Sequence, residues 1–437
     1  MRSPGSSLGD SSLDSRLQPA MLAVLQPILP LVLGASVLMF GNSLLTLSTS
    51  LKLKEAGADS AAVGLVQSGF FLGFLLGCLF IKRLIRRVSH IRAYAVLGAL
   101  AAMTTMVQSL TVDTAVWALC RMVYGFAMAG LFTTIESWLN DRTGNETRGR
   151  VFTFYMASYY LAVGLGQISI NLWDLAAAQV LVFSALIVVL SLQPVLLTTL
   201  PQPEVTGAKA MSVFALYRRS PLAVVGAVSS GFMQSGLFTM GPIFAADVGY
   251  SLFQISLFSA ALVIGPFLTL WMIGRLSDRV GRRAALTLVL ILVVAVALVF
   301  YVSHWLEPHF FVVLALALLL GGTSSAVYPN AVAHACDQLE KEQYVAASTS
   351  LLICFSLGAI LGPSLAAWSM QLAGVHALFL YSAVFAGLLL LFIGYRWRVR
   401  PEVPVVSKEA FVPVVPTSRL APEMDPRAVD PDPRQGA

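Results

Sequence analysis

The chain has 437 residues, 57% of them hydrophobic and 11% charged, against roughly 45–50% and about 25% for a soluble domain. That balance excludes an ordinary soluble enzyme or nucleic-acid binder and indicates a polytopic membrane protein. The formal net charge of +6 sits in short loops, so it bears on membrane orientation and not on nucleic acid.

Crossing a bilayer takes about 20 apolar residues. Twelve stretches meet that length, beginning near Met21, Ser60, Ile91, Thr114, Thr147, Ala177, Pro221, Leu252, Ala284, His309, Gln343 and Val375. The fold class expected is all-α, with twelve transmembrane helices. Residues 1–20, rich in Ser, Gly and Asp and without a cleavage site, read as a disordered N-terminus ahead of an uncleaved anchor helix. An even number of spans puts both termini on one side of the membrane. Connections after spans 2, 4, 6, 8 and 10 carry Lys82, Arg83, Arg86, Arg87, Arg142, Arg148, Arg150, Arg218, Arg219, Arg275, Arg279, Arg282 and Arg283, whereas the opposite connections carry only Lys52 and Lys54. Basic residues accumulate on the cytoplasmic side, so both termini are expected in the cytoplasm, in a multi-pass protein of a bacterial inner membrane.

Residues 201–220 form the longest internal connection and divide the chain into bundles over 21–200 and 221–397. Within it, Met211 to Arg219 mixes apolar residues with a basic pair and reads as a short interfacial helix. Beyond residue 397 the chain is rich in Pro and charge without apolar periodicity, as in a disordered cytoplasmic tail. Cys78, Cys120, Cys336 and Cys354 lie singly inside apolar runs, which suits packing rather than disulfides or zinc. No metal site and no cofactor is expected.

The most charged stretch is Gly274-Arg-Leu-Ser-Asp-Arg-Val-Gly-Arg-Arg283, with Asp278 among four arginines and two glycines. It resembles the G-x-L-x-D-R-x-G-R-R loop after the second helix of each half in the major facilitator superfamily. That resemblance implies two pseudo-symmetric six-helix bundles around a cavity lined mainly by spans 1, 4, 7 and 10. Internal similarity agrees with it: Gly130 to Ser137 aligns with Gly322 to Pro329, and Gly164 with Gly358. Segments around Arg148-Gly-Arg150, Tyr159-Tyr160, Gly166-Gln167, Tyr328 to Cys336 and Gly358 to Pro363 resemble the YcaD-like branch. The helix-5 pattern of drug and proton antiporters, G-x-x-x-G-P, is absent from span 5, where the chain reads Gly164-Leu-Gly-Gln.

Two charges in span 4 are costly to place, since a charge at the bilayer centre costs upward of ~2.5 kcal/mol. Arg121 and Glu136 lie about 22 Å apart along a helix and within about 60° of one face, so that face is expected to meet a wet or protein-lined interior. Arg121-Met-Val-Tyr-Gly125 resembles the family's R-x-x-Q-G, with Tyr124 in place of glutamine; the resemblance implies proton coupling, and snorkelling or pairing with a carbonyl is the structural alternative. Glu136 fits a proton carrier or a contact for a cationic substrate, or equally a gate ion pair with Arg148 or Arg150. Tyr155, Tyr159 and Gln167 in span 5, Gln234 in span 7, and Ser324, Tyr328 and Asn330 in span 10 are sparse polar groups among apolar walls. They suit a small amphipathic substrate or helix-to-helix hydrogen bonding. His334 fits a second titrating site or an interface histidine.

Two cytoplasmic latches follow from the loops. Gly274, Asp278, Arg279, Gly281 and Arg282 are expected to meet the start of span 5 at Arg148 and Arg150. In the first half Arg86 stands where the motif has its acid and Ser89 where it has its second glycine, and a basic residue at the first position resembles the branch. That latch is therefore expected to be charge-reversed, with Arg86 or Arg87 meeting Glu340 or Glu342. No HExxH, GxSxG or P-loop pattern occurs, so neither an enzyme nor ATP drive is expected. The leading reading is a secondary transporter working as one chain, coupled to protons or another ion; the alternative is a receptor or scaffold that keeps the fold.

Overall fold

The computed structural model describes residues 11–143, 145–175, 178–203, 211–305, 308–399, 411–412 and 416–417. Its helices are α1 (Ser11–Glu55), α2 (Ser60–Val88), α3 (His90–Leu110), α4 (Thr114–Arg142), α5 (Asn145–Ile168), α6 (Gln179–Leu196), α7 (Val213–Arg219), α8 (Pro221–Asp247), α9 (Leu252–Val280), α10 (Arg282–Val302), α11 (Phe310–Ser325), α12 (Val327–Cys336), α13 (Tyr344–Ala373) and α14 (Ala377–Val399). Among the described residues twelve spans are long and apolar enough to cross a membrane. Nine are single helices; the fifth and the eleventh add a 3-10 turn, Ser169–Leu172 and Lys341–Gln343, to α5 and α13, and the tenth, Phe310–Cys336, is α11 and α12 joined at Ala326. The break has a local cause: Pro329 has no N–H to give to the Ser325 carbonyl one turn back.

Two departures from expectation lie at the termini. Residues 11–20 continue α1 as helical backbone, although 1–20 read as disordered; residues 11–18 contain neither Gly nor Pro to stop a helix. The residues before 11 lie outside the described chain. In the expected disordered tail, the described residues depart as well. Val412 and Thr417 are buried, and a Cβ on Gly274 would run into the Phe411 ring. Composition averages over such single anchors.

The halves repeat their packing as well as their topology. Gly73 of α2 and Gly125 of α4 each lie against the other helix's backbone, on the carbonyls of Met122 and Phe70; in α9 and α11, Gly265 and Gly321 do the same on Leu318 and Leu262. Only glycine lets helices approach so closely. Likewise Gly166 meets the Phe40 carbonyl as Gly358 meets that of Val228. These contacts correct the repeat register: Gly125 pairs with Gly321, which shifts span 4 by one helical turn from the alignment of Gly130 with Gly322. Gly358 matches Gly166, not Gly164.

The loops after α2 and α9 are also twins. Gly281 closes α9 at φ 92° and ψ 156°, and Ser89 closes α2 at φ 79° and ψ 164°. Ser89 is the one non-glycine with positive φ among the described residues. The expected short helix between the halves is α7; Leu216 is buried, and the segment is tied to α13 by Met211 N–H to the Ala346 carbonyl and Ser350 Oγ to the Met211 carbonyl at 2.6 Å.

Contacts between the halves gather toward the end away from the Gly274–Arg283 loop. Lys54 pairs with Asp247, Gln371 Nε2 donates to Asp59 at 3.1 Å, Asn171 Nδ2 donates to Ser256 Oγ at 2.7 Å, and the Ser68 and Ser364 hydroxyls meet at 2.9 Å.

Candidate functional site: a cavity between the halves

Between the two bundles lies a cavity with about 1290 Å³ of empty space, including the part open to solvent. Both halves build its walls, the first through α1, α2, α4 and α5 and the second through α8, α9, α11 and α13. Arg121, Tyr159, Gln167 and Gln234 of the expected set line it. So does Ser325, one of the polar residues of span 10, together with residues that the sequence did not single out: Asn42, Thr46, Gln67, Phe70 and Phe71. Isolated polar residues and aromatic pairs inside apolar spans look like helix packing, so no linear signal marks them.

Arg121 is 1% exposed. Its Nη2 donates to Thr46 Oγ1 and to Gln67 Oε1, each at 3.2 Å, and Gln67 is held in turn by Nε2 donating to Ser50 Oγ at 2.8 Å. The guanidinium carbon lies 4.8 Å from the Phe70 ring centre and 5.4 Å from that of Tyr124. A desolvated cation over an aromatic face gains about 2 kcal/mol. Arg121 therefore does not snorkel: it is held inside by neutral partners. Tyr124 serves as one of its rings and is wholly buried.

Glu136 is wholly buried nearer the opposite end of α4. It accepts hydrogen bonds from Tyr155 Oη at 3.2 Å and from Thr417 Oγ1 at 2.6 Å. Pro416 and Thr417 themselves line the cavity, so the C-terminal segment stands between Glu136 and the open space.

The rest of the span-10 set lies away from the cavity. Ser324, Tyr328 and Asn330 are buried, and Ser325 takes the lining position. Tyr328 packs edge-on to Phe355 with ring centres 5.3 Å apart, and Asn330 Nδ2 returns to the Ala326 carbonyl at 2.8 Å, next to the helix break. His334 meets Gln338 at 2.9 Å through ring nitrogen Nε2.

The loop residues form a brace within the second half. Arg282, 1% exposed, holds Asp278 at 2.6 Å, Ser277 Oγ at 3.1 Å and Asp337 at 3.2 Å. Asp278 also accepts the Phe411 N–H at 3.0 Å. In this arrangement Asp278 is thus engaged by α10 and the tail. Arg86, Arg87, Arg150, Arg279, Glu340 and Glu342 are exposed, and Arg148 is buried. Among the described residues no ion pair joins Arg86 or Arg87 to Glu340 or Glu342.

Comparison with known proteins agrees with this architecture. Over 360 residues the chain is 28% identical to "Uncharacterized MFS-type transporter YcaD" of Salmonella enteritidis, a match covering 82% of this chain and 92% of that protein. The Salmonella paratyphi A protein of that name is 28% identical over 365 residues, 83% of this chain and 94% of that protein. Among solved structures, the nucleoside transporter NupG superposes with a TM-score of 0.68 at 15% identity, covering 85% of this chain and 100% of that chain. A bacterial homologue of the human lysosomal transporter Spinster, in an inward-facing and occupied conformation, gives 0.69 at 15% identity over 87% and 97%. At such identities the structures speak for the fold. The model of the Major Facilitator Superfamily matches residues 31–306 and 223–422, and the chain belongs to that family of multi-pass membrane transporters.

Proposed function

We propose that the protein is a secondary active transporter that moves a small molecule across the bacterial cytoplasmic membrane by alternating access. A cavity shared by two halves, with inter-half contacts gathered at one end, carries this reading. The basic loops favour the cytoplasm for the Gly274–Arg283 end, so in this reading the arrangement is inward-facing. Closing that end requires the halves to rock together. The exposed Arg86 and Arg87 would then meet Glu340 and Glu342, while Asp278 would leave Phe411 for the start of α5.

Glu136 is the proposed proton carrier. It is the buried carboxylate of α4, two of its partners are hydroxyl donors, and departure of Thr417 opens a path from it to cavity water. The test is a proteoliposome flux screen with internal pH recorded, comparing the wild type with Glu136→Gln. Substrate-dependent pH change lost in the variant supports proton coupling through Glu136. Flux that survives with its pH change intact removes Glu136 from the proton path, and absence of flux for every compound favours a receptor or scaffold.

A further inference from the structure

We infer that the cavity selects a small organic monoanion, a carboxylate on an aromatic or heteroaromatic body that carries a hydrogen-bond acceptor, with Arg121 as its charge partner. The inference deepens the transporter reading and rests on it for movement, though not for binding.

Charge comes first. Arg121 is the one lining residue with a formal charge among those described, and no Asp or Glu lines the cavity with it. Its hydrogen-bond partners, Thr46 and Gln67, are neutral. Nε and Nη1 are enclosed and have no hydrogen-bond partner, so no protein acceptor offsets the charge at those atoms. A buried cation without a counter-charge in a low-dielectric site attracts an anion strongly and repels a cation by the same field. A single such charge calls for a monoanion.

The walls define the body. Phe70, Phe71, Phe74, Tyr159, Tyr160 and Phe355 line the space, and flat rings suit aromatic faces. A chloride ion would leave those surfaces unused.

The remaining polar atoms define the substituents. Asn42 and Gln167 line the cavity; their oxygens Oδ1 and Oε1 are enclosed, which leaves the amide nitrogens as the atoms that face the open space. An amide nitrogen only donates, so the two call for acceptor atoms on the ligand, such as a hydroxyl oxygen. A donor left unpaired in a dry site is costly, and a site built around one discriminates against analogues that lack the acceptor.

The test uses the full chain in detergent, with binding measured by titration calorimetry. The probes are 4-hydroxybenzoate, its neutral amide 4-hydroxybenzamide, unsubstituted benzoate, and the cation phenyltrimethylammonium. The hydroxylated carboxylate is expected to bind at least about tenfold more tightly than each of the others. Arg121→Gln is expected to remove that preference while leaving the weak binding of the amide, which also reports that the variant is folded; Arg121→Lys is expected to restore part of it. Equal or tighter binding of the cation or the amide overturns the inference, as does failure of every carboxylate to bind at millimolar concentration or an unaltered preference in Arg121→Gln. Counterflow of labelled 4-hydroxybenzoate in proteoliposomes keeps the two readings apart. Carboxylate binding without flux counts against transport and supports the anion site, whereas flux of the cation without carboxylate binding does the reverse.

Discussion

Ser89 supplies the sharpest stability test, because the molecule contains its own control. At φ 79° and ψ 164° its backbone occupies a region that is nearly exclusive to glycine and costs about 1–3 kcal/mol for other residues. The twin position in the second half, at φ 92° and ψ 156°, is Gly281. Ser89 makes no side-chain capping bond to α3, so Ser89→Gly loses no such contact. Glycine gives back about 0.5–1 kcal/mol through greater freedom of the unfolded chain, which leaves a net gain of roughly 0.5–2 kcal/mol. Gly281→Ser is expected to lose a similar amount. Equilibrium unfolding by steric trapping in detergent or bicelles would measure both. A Ser89→Gly variant no more stable than the wild type, together with a neutral Gly281→Ser, would refute the argument from backbone geometry.

The brace around Arg282 gives a larger effect. Arg282→Met leaves the buried Asp337 carboxylate without its guanidinium, and removing one partner of a buried pair costs about 3–5 kcal/mol. A double-mutant cycle with Asp337→Leu should show strong coupling; additive losses would mean that the two side chains do not depend on each other. Gly73→Ala is expected to destabilise by about 1–3 kcal/mol or more through overpacking against the Met122 carbonyl. Gly387→Ala, with open space around the added methyl, should instead gain about 0.5–1 kcal/mol, and equal effects at the two sites would sink the packing argument. Thr417→Val removes a hydrogen bond to a carboxylate, worth about 1.5–3 kcal/mol, so the tail should leave the cavity roughly ten- to a hundredfold more often. Labelling of Thr239→Cys, a lining position, by a water-soluble maleimide should quicken accordingly, and an unchanged rate would place the docked tail outside the access route.

The fold was legible because its signals are long or dense. Twelve apolar runs and one ten-residue loop motif depend on many residues at once, and the helices begin close to where the runs do. Arg121 was legible for a different reason: a charge inside an apolar span is expensive wherever it points, so it marks an interior without any motif. Its partners were not. Thr46 and Gln67 are single polar residues of a kind that spans use for helix contacts, and their pairing with Arg121 exists only in three dimensions. The repeat register slipped by one turn because small residues recur at helical spacing, so Gly125 and Gly130 look alike in sequence. Their contacts separate them: Gly125 meets the Phe70 backbone, whereas Gly130 meets the side chains of Leu97 and Ile81.

Span 10 shows how one backbone feature redirects a whole set of candidates. Ser324 and Tyr328 are four residues apart and would share a face on a continuous helix, which made them a natural pair for the cavity. The joint at Ala326, one turn before Pro329, lies between them; Ala326 stays helical and its N–H still reaches the Gly322 carbonyl, so the joint bends the span without ending it. Tyr328 then packs on Phe355, Asn330 returns to the Ala326 carbonyl at the joint, and Ser325 rather than Ser324 reaches the cavity. Helical periodicity shows which residues share a face and not which face meets the cavity, and the proline in Tyr328-Pro-Asn330 was the warning of a bend. The same joint lies between the cavity residue Ser325 and the Asp337 that anchors Arg282. A change of bend at Ala326 would therefore shift the cavity residue Ser325 and the Asp337 that holds Arg282 relative to each other.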